Sequence, residues 1–549
     1  MTTTTLCHTP PAAGAVTLNI SLVAHTNAGK TTLARTLLGR DVGEVRDEAH
    51  VTTSAEPHLL ISSPHGDHLM LWDTPGFGDS VRLARRLAQA GNPLGWLLSQ
   101  VWDRFRDRAF WASQQAIRHV LGQTDVAIYL VNAAEAPQDA AYLAPELQVL
   151  ALLGKPVVVV LNQLGPPGTA ADDATQVSAW QAHLATLPGV QQTVHTVLPL
   201  DAFARCWVQE GALLQAVQQA LPAAQHAAMA RLSAAWAARA RSTWQAAMAL
   251  LALRVARAAV DREPLASSSW RAPLRAGLQR LVAALGAGSG DADNSPQTTA
   301  MAALADRLDT DVRRSTEALI QLHGLDGRAS GDVLDKLARH FAQREPVSEG
   351  RAALWGGLVT GALAGLKADI ASGGLTMGGG LLVGGVLGAL GAAGAARGVN
   401  RVRGLDRSLL AWDDRVISAL LQSALLGYLA VAHHGRGRGA WQQADPPSAW
   451  VDAVDAALAA QQPALQALWQ QRQGWLQDAV TVKAANAADA AAPKAPPEPP
   501  AALREQLQTL LQHACADVLL CLYPDAAATA GLTPARATGS RCTSGCRSG

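Results

Sequence analysis

Ala24-His25-Thr26-Asn27-Ala28-Gly29-Lys30-Thr31 closes an alternating apolar stretch, Val16 to Val23, and precedes a helical pattern through Leu33, Leu37 and Leu38. A tight loop placed where a strand turns into a helix can wrap a triphosphate. Its backbone N–H groups meet the α- and β-phosphates, the Lys30 ammonium reaches the β- and γ-phosphates, and the Thr31 hydroxyl is a ligand for Mg2+. Thr26, Asn27, Ala28, Gly29, Lys30, Thr31 and Thr32 are therefore the candidate nucleotide-binding residues. Lys30 is also a candidate catalytic residue, because it would stabilise charge on a transferring phosphoryl group. Only Ala24 breaks the G-x-x-x-x-G-K-[ST] pattern. Alanine fits the extended end of a strand but not a positive φ, so the loop must start without a left-handed residue there.

A second constellation follows. His68 to Trp72 reads as a strand that ends in Asp73-Thr74-Pro75-Gly76-Phe77-Gly78-Asp79. Pro-Gly alone marks a turn, but this stretch stands forty-three residues after Lys30 and at a strand end, which sets it apart from an ordinary turn. Between the two motifs lies Val51-Thr52-Thr53-Ser54. Thr53, or Thr52, is a candidate to close over Mg2+ and sense the γ-phosphate, as switch loops do; a plain loop threonine is the alternative.

With these motifs in place, residues 15–220 resemble GTPases of the Era/TrmE type. The resemblance implies a three-layer α/β P-loop G domain with a mostly parallel sheet and GTP/GDP as ligand. It also implies Mg2+ held by Thr31 and Asp73, and Gly76 offering its N–H to the γ-phosphate as a catalytic residue. Phe77 stands where Ras-like GTPases carry the glutamine that orients the attacking water. Asn27 matches a loop asparagine that, in several members of this branch, helps hold K+; an asparagine bonding its own backbone is the alternative. The base motif departs from the family. Lys155 to Leu161 reads as a buried strand, yet the expected N-K-x-D is Asn162-Gln163-Leu164-Gly165. Asn162 is retained as a nucleotide-binding residue, while the carboxylate that selects guanine is missing. GTP thus follows from the resemblance, and Asp201 after the strand Thr193 to Leu198 is a candidate substitute carboxylate.

Strands are predicted at 16–24, 58–62, 68–72, 125–131, 156–161 and 193–198, alternating with helices, with ligand at their carboxyl ends. An insertion spans 79–122. Within it Asn92-Pro93 starts a helix whose Leu94, Leu97, Leu98, Val101, Trp102 and Phe105 form one apolar stripe. That stripe either packs on the protein's own core or carries the nucleotide state to a partner.

At 549 residues the chain exceeds one core. Its 45 basic and 44 acidic residues leave a net charge of +1, without the electrostatic footprint of a nucleic-acid binder. The start, 1–14, is predicted to be disordered and lacks the basic and apolar parts of a secretory signal, and scattered cysteines fit a reducing, cytoplasmic setting. Beyond 220 the sequence is Ala- and Gly-rich and helical: 221–350, then an apolar pair over 351–403, then 404–483, an Ala/Pro linker 484–502, a helix 503–525 and a disordered tail 526–549.

The pair merits separate treatment. Ala352 to Leu366 carries no charge, Lys367 and Asp369 interrupt, and Ile370 to Ala396 runs uncharged. A bilayer span needs about 20 residues, so the second leg qualifies. Glycines four apart, Gly357, Gly361 and Gly365, then Gly380, Gly384 and Gly388, allow close helix contact. Arg351 before and Arg397, Arg401 and Arg403 after would leave both ends in the cytoplasm. A hairpin in the inner membrane, entered from the cytoplasmic side, is one expectation; a soluble glycine-packed pair is the other. Val416 to Ala432 is a third apolar stretch, interrupted by Gln422 and Ser423, and reads as a buried core helix.

The combined layout resembles bacterial GTPases with a large uncharacterised helical C-terminal domain. It implies a Mg2+-dependent GTPase that switches a membrane-contacting half, K+-stimulated through Asn27, with an unidentified protein partner or a second copy of itself. Alternatives are a nucleotide-dependent binding module that barely hydrolyses, and a dynamin-like membrane-remodelling protein.

Overall fold

The computed structural model describes residues 14–42, 55–78, 80–89, 108–165, 167–264, 296–325, 399–403, 408–435, 447–485 and 498–534. Thr52, Thr53, the stripe Leu94 to Phe105 and residues 351–398 lie outside them. Two compact units emerge: Met1–Ser242 with His433–Gly439 and Leu519–Leu532, and Thr243–Ala432 with Ala440–Val518 and Thr533–Gly549.

The first unit is built on a six-stranded sheet. Its strands are β1 (Thr17–Ala24), β2 (Glu56–Ser62), β3 (His68–Asp73), β4 (Val126–Asn132), β5 (Val157–Asn162) and β6 (Val194–Pro199), in the order β2-β3-β1-β4-β5-β6. All pairs are parallel except β2 with β3. Register aligns the strand ends: Leu22 faces Asp73, Ala24 faces Leu130, and Asn132 faces Asn162. Chemistry carried after β1, β3 and β5 therefore meets at one edge of the sheet.

Alternation sends successive side chains to opposite faces. Leu18, Ile20, Leu22, Val126, Ile128, Leu130, Val158 and Val160 join one core, and Val23, Ala127, Tyr129, Val131, Val157, Val159 and Leu161 the other. The first is covered by α1 (Lys30–Leu38), α6 (Trp207–Ala220) and the start of α7 (Ala223–Val260), through Leu33, Leu213, Val217, Met229 and Leu232. The second is covered by α3 (Arg108–Gln123), α4 (Leu143–Leu152) and α5 (Ala170–Thr186), through Ile117, Val120, Leu147, Leu150, Trp180 and Leu184. Helices on both faces make three layers, and the all-apolar run Val157–Leu161 is the strand buried on both sides that its composition required. The 79–122 insertion contributes α2 (Ser80–Gln89) and α3, and α2 packs against α4.

At the pole away from the strand ends, Asp67 ties the sheet to α7. Arg231 Nε and Nη2 donate to its two oxygens at 2.7 and 2.9 Å, and Val16 N–H donates at 3.1 Å.

The second unit is mainly helical, with the rest of α7, α8 (Pro296–Leu322), α9 (Asp414–Ala432), α10 (Ser448–Ala460), α11 (Gln462–Ala485) and most of α12 (Ala501–Leu522). It also holds a small antiparallel sheet of β7 (Arg262–Pro264), β8 (Val399–Arg403) and β9 (Ser408–Trp412), in the order β7-β9-β8. The sequence expectation of helices alone is corrected here. Arg401 and Arg403, read as the basic flank of the apolar pair, sit in β8. No local pattern reveals a ladder that pairs residue 262 with residue 411. Arg472, 2% exposed, knits this region: Nε and Nη2 donate to the carbonyls of Ala259 and Trp412, both at 2.6 Å, and Nη1 pairs with Asp414.

Among the described residues only α9 is long and apolar enough to cross a membrane, and 56% of its apolar window is buried inside the protein. Val416, Leu420, Leu421, Leu425 and Leu429 face the core. The tail also departs from expectation. Residues placed beyond the last helix form α13 (Pro524–Thr529), which packs on α6 with Ala527 buried. Arg241 donates to the Ala530 carbonyl at 2.9 Å, closing its end.

Candidate functional site

Ala24 is the last residue of β1, fully buried and extended, and the chain leaves it without a left-handed turn. Two later residues make the bend. Asn27 has φ 67° and stands exposed at the crest of the loop, and Gly29 has φ 91°. Asparagine tolerates that region better than other side chains. At Gly29 there is a second constraint, because a Cβ would lie 2.5 Å from Asn162 Nδ2. Leu33 N–H then donates to the Gly29 carbonyl and α1 begins.

The two phosphate-side motifs interlock. Thr31 Oγ1 donates to Asp73 Oδ2 at 2.6 Å. The other carboxylate oxygen, Asp73 Oδ1, is buried with no hydrogen-bond partner. Lys30 is 8% exposed, and its Nζ rests 3.2 and 3.4 Å from the carbonyls of His25 and Ala24. A Cβ on Gly76 would meet Lys30 Nζ at 2.9 Å and Thr26 Cα at 3.1 Å. Thr26 donates to the Phe77 carbonyl from its N–H at 3.3 Å and its hydroxyl at 2.9 Å, and Phe77 N–H donates to Ala24 at 3.0 Å. The structure thus brings Lys30, Thr31, Asp73, Gly76 and Thr26 together, and Thr32 is buried in α1.

Burial dominates the electrostatics. It lowers the Lys30 pKa, opposed by the carboxylates of Asp73 and Glu146. It raises that of Asp73, opposed by the Thr31 hydrogen bond and by Lys30. Each charge is disfavoured by desolvation, and a bound polyanion with a divalent counterion would restore both. The Asp73 oxygen without a partner, beside the Thr31 hydroxyl, is the donor set that a hard cation takes; the residues present fit Mg2+.

Phe77 is 1% exposed and belongs to the core with Val23, Tyr129 and Leu147. The Phe77 side chain is shut off from solvent. At the base end, Asn162 Nδ2 donates to the Ala28 carbonyl at 2.9 Å, and its Oδ1 accepts Ala202 N–H at 2.8 Å. Asn162 is therefore the strut between phosphate loop and base loop. Gln163 takes φ 60° and places its amide nitrogen 4.0 Å from the Gly29 Cβ position. Asp201, 5% exposed, accepts Leu164 N–H and Phe203 N–H, each at 2.8 Å, so its oxygens hold the two base-side loops together.

One cluster was not legible in the sequence. Glu146 on α4 is fully buried; its Oε1 lies 2.7 Å from His25 Nδ1, and its Oε2 accepts the Tyr129 hydroxyl at 2.7 Å. The sole signal was a single acid in an apolar helix, Leu143–Leu152.

The family described as 50S ribosome-binding GTPase matches residues 19–163, from β1 to the end of β5. No curated protein matches the chain. Among solved structures, similarity extends to an Era variant from Aquifex aeolicus bound to GDP and aluminium fluoride, at 20% identity and TM-score 0.27, over 38% of this chain and 57% of that one. Era with MgGDPNP and a segment of 16S ribosomal RNA is similar at 19% identity and TM-score 0.28, over 38% of this chain and 58% of that one. NFeoB from S. thermophilus is similar at 13% identity and TM-score 0.21, over 56% of this chain and 93% of that one. The chain spans less than three fifths of either Era chain. Sheet order, a phosphate loop turning into α1 and the family match over 19–163 give the amino-terminal part of this chain the fold of a P-loop G domain.

Proposed function

We propose that the protein hydrolyses GTP to GDP and phosphate with Mg2+, and that the nucleotide state switches its helical C-terminal half. The observation that carries this reading is the Thr31–Asp73 pair beside Lys30 and Gly76, with a buried Asp73 oxygen left without a partner. Thr31 and Asp73 would hold Mg2+, which when bound screens the charge of the phosphate oxygens. Lys30 and the loop N–H groups stabilise charge on the transferring phosphoryl group, and Gly76, whose missing side chain lets the backbone approach Lys30 Nζ, reads the γ-phosphate.

Because Phe77 is a core residue, the attacking water is oriented by other groups. Asn27, exposed at the loop crest, is the proposed K+ ligand, and Thr53 the proposed switch residue. Residues 351–403 are the proposed contact with the cytoplasmic face of a membrane, on the strength of their uncharged length and basic ends. Guanine preference rests on kinship, since Asp201 is committed to backbone donors.

A binding module that loads nucleotide without turnover is the second reading, and the buried Phe77 favours it. Phosphate release by the full chain with Mg2+ in K+ and in Na+ separates the two. Faster release in K+ supports the enzyme; bound nucleotide without release in either salt supports the module. Calorimetry showing no heat with any purine triphosphate overturns both.

A further inference from the structure

The base loop after β6, Leu200 to Phe203, is covered by a stretch of chain from far downstream. The first unit takes in His433–Gly439 and Leu519–Leu532 beside Met1–Ser242. Within it, Gly435 N–H donates to the Phe203 carbonyl at 3.1 Å. A Cβ on Gly435 would collide with the Ala202 carbonyl oxygen and stand 2.7 Å from both the Ala202 carbonyl carbon and Phe203 Cα. These are backbone atoms, which cannot rotate aside as a side chain can, so only glycine lets the two chains lie this close. His433 and His434 are buried in the same strap. The His433 ring stacks on Tyr523 with centroids 5.7 Å apart, and Tyr523 caps α13, which packs on α6 just beyond the base loop.

The residue under the strap is a junction. Ala202 N–H donates to Asn162 Oδ1 at 2.8 Å, and Asn162 Nδ2 donates in turn to the Ala28 carbonyl of the phosphate loop at 2.9 Å. The Ala202 carbonyl accepts the Thr36 hydroxyl of α1 at 2.9 Å. Asp201, its neighbour, is bonded to the Leu164 and Phe203 N–H groups. With Asn162 and Asp201 both engaged by backbone, a purine at this end is gripped according to where the loops lie. The strap is what fixes the outer side of one of them.

We propose that Gly435 is a positioning residue: the strap His433–Gly435 holds the base loop in place over the purine and so sets how long a nucleotide stays bound, GDP and GTP alike. This rests on the functional reading above. The strap is covalently continuous with α9, so a displacement of the carboxyl end of that helix shortens nucleotide residence without touching the Thr31–Asp73 pair. By linkage, a bound nucleotide favours the seated strap to the same extent.

The experiment follows dissociation of ribose-labelled fluorescent GDP and of a labelled non-hydrolysable GTP analogue from the full chain, with single-turnover phosphate release measured alongside. Gly435→Ala should speed dissociation of both nucleotides about tenfold, since differences in affinity appear mostly in the off-rate. KM should rise by a similar factor, while the single-turnover rate at saturating GTP should stay within about twofold. Tyr523→Leu removes the ring under His433 without crowding the base loop, and should speed both dissociations about two- to fivefold; it decides alone if Gly435→Ala does not fold. Gly427→Ala, in α9 where a Cβ meets nothing within 4 Å, should leave both rates unchanged. Wild-type dissociation from folded Gly435→Ala and Tyr523→Leu proteins overturns the role of the strap while the GTPase reading stands. So does faster loss of the triphosphate alone, or equal acceleration by Gly427→Ala. If the unmodified protein retains neither nucleotide, the functional reading fails first and this inference with it.

Discussion

The two ends of the proposed nucleotide site are built differently. At the phosphate end, two motifs distant in sequence interlock: the Thr31 hydroxyl bonds the Asp73 carboxylate, Thr26 bonds the Phe77 carbonyl, and Lys30 lies beside Gly76. One buried Asp73 oxygen is left without a hydrogen-bond partner. At the base end, the polar side chains are spent on backbone: Asn162 on Ala28 and Ala202, Asp201 on Leu164 and Phe203. Charge held in reserve marks a place for a ligand, whereas charge already satisfied marks architecture. Affinity should therefore reside in the triphosphate, with little discrimination among purines.

The largest expected effect tests the phosphate end. Lys30→Ala should lower kcat for phosphate release about 100- to 1,000-fold, the range seen when one donor to a developing oxyanion is removed. The melting temperature of the nucleotide-free protein should hold or rise, because a buried, desolvated ammonium is removed. A Lys30→Ala protein that still turns over at a wild-type rate would erase the contrast between the ends.

Gly76→Ala should come next. The added methyl would sit 2.9 Å from Lys30 Nζ and 3.1 Å from Thr26 Cα, so the ammonium or the loop must shift. The expected loss is about tenfold in triphosphate affinity with diphosphate affinity nearly intact, in line with a modest overpacking penalty. Equal losses for both nucleotides would mean that Gly76 shapes the loop as a whole and does not report on the γ-phosphate.

How much of this contrast was legible before folding depends on the range of the interactions. Lys30, Thr31, Asp73 and Gly76 were legible because each is fixed within a few residues of a strand end. The strands were legible because runs such as Val157–Leu161 have no other stable use. Glu146 was not, since its partners stand at positions 25 and 129 and nothing in Leu143–Leu152 announces them. The satisfied state of Asp201 was equally hidden, as it follows from the approach of two loops. In the second unit, β9 pairs with Arg262–Pro264 and Arg472 reaches Ala259 and Trp412. Helical periodicity is silent on both.

At the base end the expected effect is small and its sign is informative. Asp201→Asn keeps one acceptor oxygen and loses the charge, so the turns at Leu164 and Phe203 loosen. Competition of GTP against ATP should shift by less than about threefold, because the carboxylate is bonded to the protein and not reserved for a purine edge. A collapse of GTP selectivity would instead assign base reading to Asp201 and remove the difference between the ends.

The smallest effect on the site should come from Asp67, at the far pole of the sheet. Arg231, with Ser63 and the Val16 N–H, holds the Asp67 carboxyl well below the usual carboxylate range. A depressed folded pKa contributes stability that is complete above the unfolded value, near 3.8, and is lost as pH falls through the folded one. The Asp67→Asn protein should therefore melt below wild type at neutral pH, and the gap should close as the solution is acidified below that value. Triphosphate affinity at neutral pH should stay within about twofold of wild type, because distant sites with no shared partners act additively. A loss of affinity comparable to that of Gly76→Ala would mean that the phosphate end is held by the whole sheet and not by its own interlocked side chains.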